Sequence, residues 1–175
     1  MKKTLLLIGI LLTITSCSQK DTPTLTPLQQ LPKATKTGAN TAGCLVNGEA
    51  FLPGGHFSTG NLNCFYINQK DFVLGLSQTF KDTYRGIYIY IYNTNLEIGK
   101  TYNLTKEIIP NPKYAKYEDP YFSNTYKTTS IITGELTITH HDYNKAIISG
   151  TFWFDAINNI GEKVEVREGR FDMKY

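Results

Sequence analysis

Several signals that accompany common biochemical activities are missing from this sequence. It has no G-x-S-x-G elbow, no H-E-x-x-H pair and no Walker loop, so the templates for serine hydrolases, zinc proteases and nucleotide-binding enzymes do not apply. Once Lys2 and Lys3 are removed with the leader, 16 of the 18 basic residues remain beside 15 acidic ones. A charge this close to balance gives no support to binding driven by nucleic-acid phosphates. We therefore expect no cofactor and no nucleic-acid partner.

Long apolar runs and helical periodicity are also scarce. Behind the leader, no apolar segment approaches the about 20 residues that a membrane-spanning helix needs. Methionine occurs only twice, whereas the chain has 12 tyrosines and 9 phenylalanines. Aromatic and β-branched residues pack well on pleated sheets. These features predict a single all-β domain of roughly nine or ten strands, built as an antiparallel sandwich or a closed barrel.

Alternating side chains mark the predicted strands, and the clearest of them is "RGIYIYIYN". Its two faces differ, with Ile87, Ile89 and Ile91 on one and Tyr88, Tyr90 and Tyr92 on the other. Because successive strand residues point to opposite faces, the isoleucines are predicted to enter the core. The pair Asn47-Gly48 predicts a tight hairpin, since both of its residues adopt positive φ readily.

The alternation changes phase in the last segment of the chain. Val164 and Val166 share one face, whereas the apolar residues from Phe171 onward fall on odd positions. An extra residue at Glu168-Gly169 would restore the phase as a β-bulge with a left-handed glycine. A tight turn at the same place would restore it equally well.

The first residues are typical of an export signal. "MKK" is a positive n-region and "TLLLIGILLTIT" is an apolar region of signal-peptide length. The residues that follow, Ile14 to Cys17, resemble the lipobox of bacterial lipoproteins, which implies that the thiol of Cys17 carries a diacylglyceryl group and becomes the first residue after cleavage. A second acyl chain or more makes such an anchor stable. The alternative is a plain secretory signal with an unrelated cysteine.

The composition divides the chain into three parts. Residues 1–16 form the signal peptide, and residues 17–43 form the lipidated cysteine and a proline- and threonine-rich tether that buries too little apolar surface to fold alone. Residues 44–175 form the all-β domain. Leu28 and Leu31, in the later half of the tether, are candidates for docking on the domain.

Three stretches carry a family resemblance. "SQKD" after Cys17 is similar to the signal that sends lipoproteins of Bacteroidetes-type bacteria to the outer face of the outer membrane, with a periplasm-facing anchor as the alternative. "LPKATKTGANTAGCLVNGEAF" and "SGTFWFDAINNIGEKVEVREGRFDMKY" resemble the opening and closing segments of a family of small cell-envelope lipoproteins from such bacteria. The resemblance implies a place in the cell envelope, and it implies no activity.

Cys44 and Cys64 fall in the exported domain, where oxidation is possible. A disulfide between them would close a loop of about 20 residues and stabilise the domain by about 3 kcal/mol in the chain-entropy model. Two buried free thiols are the equal alternative, because cysteine is among the most buried residue types.

The run His140-His141-Asp142 contains the side chains best suited to metal binding. Adjacent strand residues point to opposite faces, so the two imidazoles are poorly placed to share one ion. We interpret the run as a solvated hairpin turn and expect no metal site. His56 has no partner that the sequence reveals.

Aromatic residues are the better indication of function. Tyr88, Tyr90 and Tyr92 form a ladder, and the connection "NPKYAKYEDPYFSNTY" adds further rings, at Tyr114, Tyr117, Tyr121, Phe122 and Tyr126. Such rings suit sugar faces or a protein partner. They are equally suited to forming a second packed layer on the sheet.

These observations predict an outer-membrane lipoprotein whose domain is a non-catalytic binding module. Its ligand would be a glycan, an apolar molecule or a partner protein of the envelope. A hydrolase acting on envelope polymers is the first alternative, and it would need two carboxylates facing each other across a cleft. A purely structural lipoprotein is the second.

Overall fold

The structure is a computed structural model, and it describes residues 24–55, 60–80, 83–119 and 124–175. The predicted leader, Cys17, His56, Tyr121 and Phe122 lie outside the described residues. Within these ranges, no helix has the length and apolar character that a membrane crossing requires.

One short helix precedes eleven strands, so the predicted all-β class is confirmed with slightly more strands than expected. The elements are α1 (Pro27–Gln30), β1 (Thr41–Val46), β2 (Glu49–Phe51), β3 (Leu62–Ile67), β4 (Asp71–Phe80), β5 (Thr83–Ile91), β6 (Thr101–Leu104), β7 (Lys113–Asp119), β8 (Asn124–Lys127), β9 (Gly134–Asp142), β10 (Ile147–Ile157) and β11 (Lys163–Lys174).

All strands belong to one antiparallel sheet that curls around a single core. The hydrogen-bonded order is β2-β1-β11-β10-β8-β7-β5-β4-β3, and β9 pairs with β10 and with β6. Among the described residues no strand pairing joins β2 to β3, so the sheet is not closed into a barrel. Of the two architectures left open by the sequence, the structure is compatible with the sandwich-like one, because Phe72 of β4 packs against Phe171 of β11 across the core at 5.9 Å.

The alternating pattern of β5 is confirmed. Ile87, Ile89 and Ile91 are fully buried in the core, whereas the tyrosines between them are half-buried on the outer face. Burying one such side chain contributes about 1.5–3 kcal/mol. The predicted Asn47-Gly48 hairpin is also present, with φ of 48° and 84° at its two central residues.

The phase change near the C-terminus is a β-bulge. Phe152 pairs with Gly169 and Phe154 pairs with Val166, so three steps along β11 match two along β10. The left-handed residue is Glu168, at φ 55°, and not the glycine that we expected. Gly169 is required for space instead, because a Cβ there would lie 2.5 Å from the ring of Phe152.

The N-terminal segment joins the domain before residue 43, ahead of the boundary that the composition predicts. Leu31 is buried whereas Leu28 is exposed, so one of the two candidate leucines docks. Residues 35–39, which we call the strap, then wrap around the carboxylate of Asp172 on β11. Asp172 is 1% exposed.

Asp172 accepts six hydrogen bonds, five of them from the strap. The donors are Thr35 Oγ1 (2.6 Å), Thr37 N (2.9 Å), Thr37 Oγ1 (3.3 Å), Gly38 N (2.8 Å), Ala39 N (3.2 Å) and Ser149 Oγ of β10 (2.8 Å). Asn40 extends the contact, because its Oδ1 accepts the backbone N–H of Lys174 at 2.9 Å. The "TKTGAN" stretch is therefore the part of the chain that binds this carboxylate.

Cys44 and Cys64 are buried free thiols, with no disulfide in the part of the chain that the structure describes. Burial raises the pKa of the Cys44 thiol far above its ordinary value and that of Cys64 to about 12. Both groups therefore stay protonated and unreactive in the folded domain.

We expect Asp172→Asn to lower the free energy of unfolding by about 2–4 kcal/mol, because the neutral amide cannot accept all six hydrogen bonds and brings two new buried donors. Urea unfolding at neutral pH measures the loss. The matched control is Asp142→Asn, an aspartate that bonds backbone N–H groups only within the β9–β10 turn. A loss no larger than that of the control would contradict the importance of the strap contact.

The same carboxylate predicts a pH dependence. Burial alone would raise the pKa of Asp172, but the hydrogen bonds from Thr35, Thr37, Ser149 and Gly38 outweigh it and hold the pKa well below its ordinary value. Its contribution is therefore complete above the unfolded-state pKa of about 4 and is lost as the pH falls towards the folded-state value. Urea unfolding between neutral and strongly acidic pH should show a smaller acid-induced loss in Asp172→Asn than in the wild type.

We also expect neither Cys44 nor Cys64 to react with a thiol reagent in the folded protein, and both to react after denaturation without reductant. Peptide mapping by mass spectrometry reads each cysteine separately. Recovery of a disulfide-linked peptide containing both residues would contradict the free-thiol state.

Candidate functional site

Four of the predicted aromatic residues form one surface on the outside of the sheet, which we call the tyrosine face. Tyr88 and Tyr90 project from β5, Tyr92 directly follows this strand, and Tyr114 projects from β7 as the cross-strand partner of Tyr90. The ring centroids of Tyr90 and Tyr114 lie 4.7 Å apart, and the angle of 14° between the ring planes shows that the rings are stacked. Along β5 the ring centroids are 6.3 Å and 6.2 Å apart.

The flat sides of these rings are largely occupied by neighbours. Tyr114 covers Tyr90, and the ammonium group of Lys116 lies 4.6 Å from the ring centroid of Tyr88. Tyr114 itself is buried, although it points away from the core. This arrangement favours the packed-layer interpretation of the tyrosine face, since a sugar would meet ring edges and hydroxyl groups instead of open ring faces.

A buried ion pair supports the tyrosine face from within. Lys116 Nζ lies 2.6 Å from Glu118 Oε1, and Glu118 is buried. The second carboxylate oxygen of Glu118, Oε2, has no hydrogen-bond partner among the described residues. Burial, assisted by the negative charge of Glu107, raises the pKa of Tyr114, so this phenol stays protonated at physiological pH. The charges of Lys116 and Glu118 therefore compensate each other within the tyrosine face, and Tyr114 adds no charge to it.

Of the other predicted aromatic residues, the two that the structure describes, Tyr117 and Tyr126, do not join this surface. Tyr117 lies on the opposite face of β7, buried in the core, and donates a hydrogen bond to Asp119 at 2.9 Å. Tyr126 packs against Tyr117 at 5.8 Å. Closeness in sequence to Tyr114 did not place these tyrosines on the same surface, because neighbouring strand residues alternate between the core and the outside.

The His140-His141-Asp142 run is not a solvated turn, because His141 is buried. Its Nε2 and Nδ1 atoms lie 3.0 Å from the Tyr175 hydroxyl and 3.3 Å from the Leu96 carbonyl. The ring of Tyr143 stacks on it at 3.9 Å. Burial lowers the pKa of His141, so the imidazole stays neutral and serves as a packed core residue at this end of the sheet.

A second surface, which sequence reasoning did not single out, lies on the outer side of β9, β10 and β11. It is a groove of about 450 Å³ around Trp153, and we call it the tryptophan groove. Its lining consists of outward-pointing residues of the three strands, the bulge, one residue before the strap and an edge of the buried Phe152: Ala34, Glu135, Thr137, Thr151, Phe152, Trp153, Arg167, Glu168, Gly169 and Arg170.

Trp153 is held in a defined orientation inside this groove. It is 37% exposed, and its indole N–H donates to Glu135 Oε2 at 3.1 Å. The guanidinium carbon of Arg167 lies 5.5 Å from the ring centroid, within the range of a cation–π contact. A large aromatic surface is thus oriented by two charged groups and remains accessible.

Arg167 is itself fixed by the strands around it. Its Nη1 donates to the carbonyls of Phe154 (3.2 Å) and Val166 (2.9 Å), and its Nη2 lies 2.6 Å from Asp155 Oδ1. Burial alone would raise the pKa of Asp155, but hydrogen bonds from Lys163 and Arg167 lower it, so the carboxylate stays charged. This network makes the wall of the groove rigid before any ligand arrives.

The bulge in β11 shapes the groove. The extra residue places Glu168 beside Arg170, whose Nη2 lies 3.3 Å from Glu168 Oε2. Bulges commonly redirect side chains next to binding sites. The sequence offered two signals, namely the chain's single tryptophan at an outward strand position and the phase change near Glu168. That these two features meet depends on the pairing of β10 with β11.

With the geometry described, comparison with known proteins places the chain in a family. Residues 61–173 match the family described as a domain of unknown function, DUF6252, and the chain belongs to it. The matched residues include all but the last two residues of the closing segment, which spans residues 149–175. The opening segment, residues 31–51, lies ahead of the matched residues. No curated protein and no solved structure matches the chain.

We expect Tyr114→Ala to lower the free energy of unfolding by about 3 kcal/mol, because it removes a buried ring from the tyrosine face. Tyr114→Phe keeps the ring and should cost less than about 1 kcal/mol. Urea unfolding of both variants measures the difference. Equal stability of the alanine variant and the wild type would show that the tyrosine face is not a packing layer.

Proposed function

We propose that this protein is an acylated lipoprotein of the outer membrane whose all-β domain binds a saccharide in the tryptophan groove without chemically changing it. The export-like leader and the lipobox-like residues ending at Cys17 support the anchor. The "SQKD" stretch behind them supports the outer membrane as its location and exposure at the cell surface. The tryptophan groove supports the binding part of the proposal.

The observation that carries the binding proposal is the half-open indole of Trp153 in a concave, polar-rimmed site. Saccharides present apolar C–H faces, which suit an aromatic ring, and hydroxyl groups, which need donors and acceptors. The groove supplies both, because Thr137, Thr151 and Glu135 line it together with Trp153. A preformed site of this kind lowers the entropy that a ligand loses on binding.

The charges of the groove indicate which saccharides fit. Two guanidinium groups, from Arg167 and Arg170, stand beside two carboxylates, from Glu135 and Glu168. Their charges cancel, so the groove attracts neither strongly anionic nor cationic polymers over long distances. An uncharged saccharide is the best match, with the charged groups acting as hydrogen-bond partners for its hydroxyls.

The same contacts favour binding over hydrolysis. A glycosidase needs one carboxyl group to donate a proton and a second to act as nucleophile or base. In the groove, Glu135 accepts the indole N–H and Glu168 is exposed and paired with Arg170. Both carboxylates therefore orient neighbouring side chains, and we assign no catalytic residue.

A glycan-array screen of the purified protein tests this proposal, followed by titration of the best ligand by calorimetry. We expect Trp153→Ala to weaken binding at least about tenfold, as removal of a central aromatic contact does. The matched control is Phe65→Ala, which removes an even more exposed ring from β3 and should leave affinity unchanged.

Three outcomes would contradict the proposal. Binding that survives Trp153→Ala would place the ligand elsewhere, and an array without any bound saccharide would remove the sugar hypothesis. Release of shortened saccharide products would favour the hydrolase. The anchor is tested separately by mass spectrometry of the native protein, where an intact leader or an unacylated first residue would refute the lipoprotein assignment.

A further inference from the structure

The connection between β6 and β7, residues 105–112, exposes two adjacent isoleucines. Ile108 is 61% exposed and Ile109 is 84% exposed. We call this connection the isoleucine loop. Scattered exposed aliphatic residues are ordinary, whereas contiguous exposed apolar surface rimmed by polar residues is characteristic of interaction sites. Neither the tyrosine face nor the tryptophan groove uses them.

The isoleucine loop is tied to the sheet at both ends. Thr105 N donates to the Lys113 carbonyl at 2.7 Å, and Tyr92 N donates to the Pro112 carbonyl at 3.0 Å. The side chain of Asn93 donates to that of Asn111 at 2.8 Å. The isoleucines are therefore held out by a structured connection and can enter an apolar environment without further ordering.

Two lysines border the isoleucines and share a groove of about 320 Å³ with them. Lys106 and Lys113 form no ion pair with any described residue, whereas the nearby Lys116 and Lys127 are neutralised by Glu118 and Glu107. Asn103, Thr105 and Asn111 add amide and hydroxyl groups to the same groove. The groove thus combines two uncompensated positive charges with neutral hydrogen-bond donors, which suits a phosphate group.

We propose that the isoleucine loop docks on a bilayer surface, with Ile108 and Ile109 entering the boundary between headgroups and acyl chains while Lys106 and Lys113 bind the phosphate of an anionic headgroup. A lipid surface fits better than a free phosphate ion, which would leave the isoleucines unexplained. It also fits better than a protein partner, because two side chains offer far less apolar surface than a stable protein interface buries.

The contact would act together with the anchor, and this part rests on the proposed function. Six residues lie between Cys17 and Thr24, the first described residue, so the seven chain steps that join them span at most about 25 Å. A domain held that close to a bilayer meets it at a high effective concentration, so even a weak surface contact would be occupied. Docking would then fix the orientation of the domain on the membrane.

Depth-dependent quenching of an introduced tryptophan tests the docking. The chain has one tryptophan, so Trp153→Phe provides a silent background, and Ile109→Trp places a reporter at the tip of the loop. The matched control is Ile98→Trp, in the β5–β6 connection, where the native residue is 61% exposed. Full-length protein is mixed with vesicles of phosphatidylethanolamine and phosphatidylglycerol that carry brominated acyl chains.

We expect quenching of the reporter at position 109 to be at least twice that at position 98, accompanied by a blue shift of its emission. Lys106→Gln combined with Lys113→Gln should remove most of this difference, as should vesicles of phosphatidylcholine alone. Circular dichroism melts of all variants should match, because Ile98, Lys106 and Ile109 are exposed and the half-buried Lys113 forms no ion pair with any described residue.

Each alternative result overturns the proposal. Equal quenching at positions 109 and 98 would show that the loop does not enter the bilayer, and full quenching in the double lysine variant would remove the headgroup contact. A change of emission with inorganic phosphate but not with vesicles would identify a free anion as the ligand. These readouts are independent of saccharide affinity, so failure of one proposal leaves the other to its own test.

Discussion

The hydrogen-bonded carboxylate of Asp172 is the contact on which the N-terminal half of the architecture depends. A buried charge without a neighbouring cation is stable only when several donors surround it. Five of the six donors come from the strap, and the sixth comes from the neighbouring strand β10. One side chain therefore ties β10, β11 and the approach to β1 together. The described chain ahead of β1 is thus fixed to the domain at two places, the buried Leu31 and this contact.

The bulge in β11 has a comparable influence on the outer surface. Gly169 leaves space for the ring of Phe152, and the extra residue allows the strand to return to its alternation before Phe171 reaches the core. The same irregularity brings Arg167, Glu168 and Arg170 to the margins of the tryptophan groove. Core packing and surface chemistry thus share one backbone feature, which explains why the tryptophan groove lies at this place on the sheet.

The two aromatic surfaces illustrate how similar residues take different roles. In the tyrosine face the rings stack on each other, and Lys116 and Glu118 neutralise each other's charge beside the rings. In the tryptophan groove the ring is oriented by Glu135 and Arg167 and stays half-open. The two surfaces differ in whether the neighbours on adjacent strands cover the aromatic ring or only orient it.

The sequence by itself determined the all-β class, the core face of β5, the Asn47-Gly48 hairpin and the position of the irregularity near Glu168. These features depend on residues close together in the chain, where alternation and turn preferences act directly. Only the tertiary structure decided that the sheet stays unclosed, that residues 35–39 bind Asp172, that His141 is buried and that Trp153 meets Glu135 and Arg167. Those contacts join residues that are distant in sequence, and strand order and register, which no local pattern specifies, bring them together.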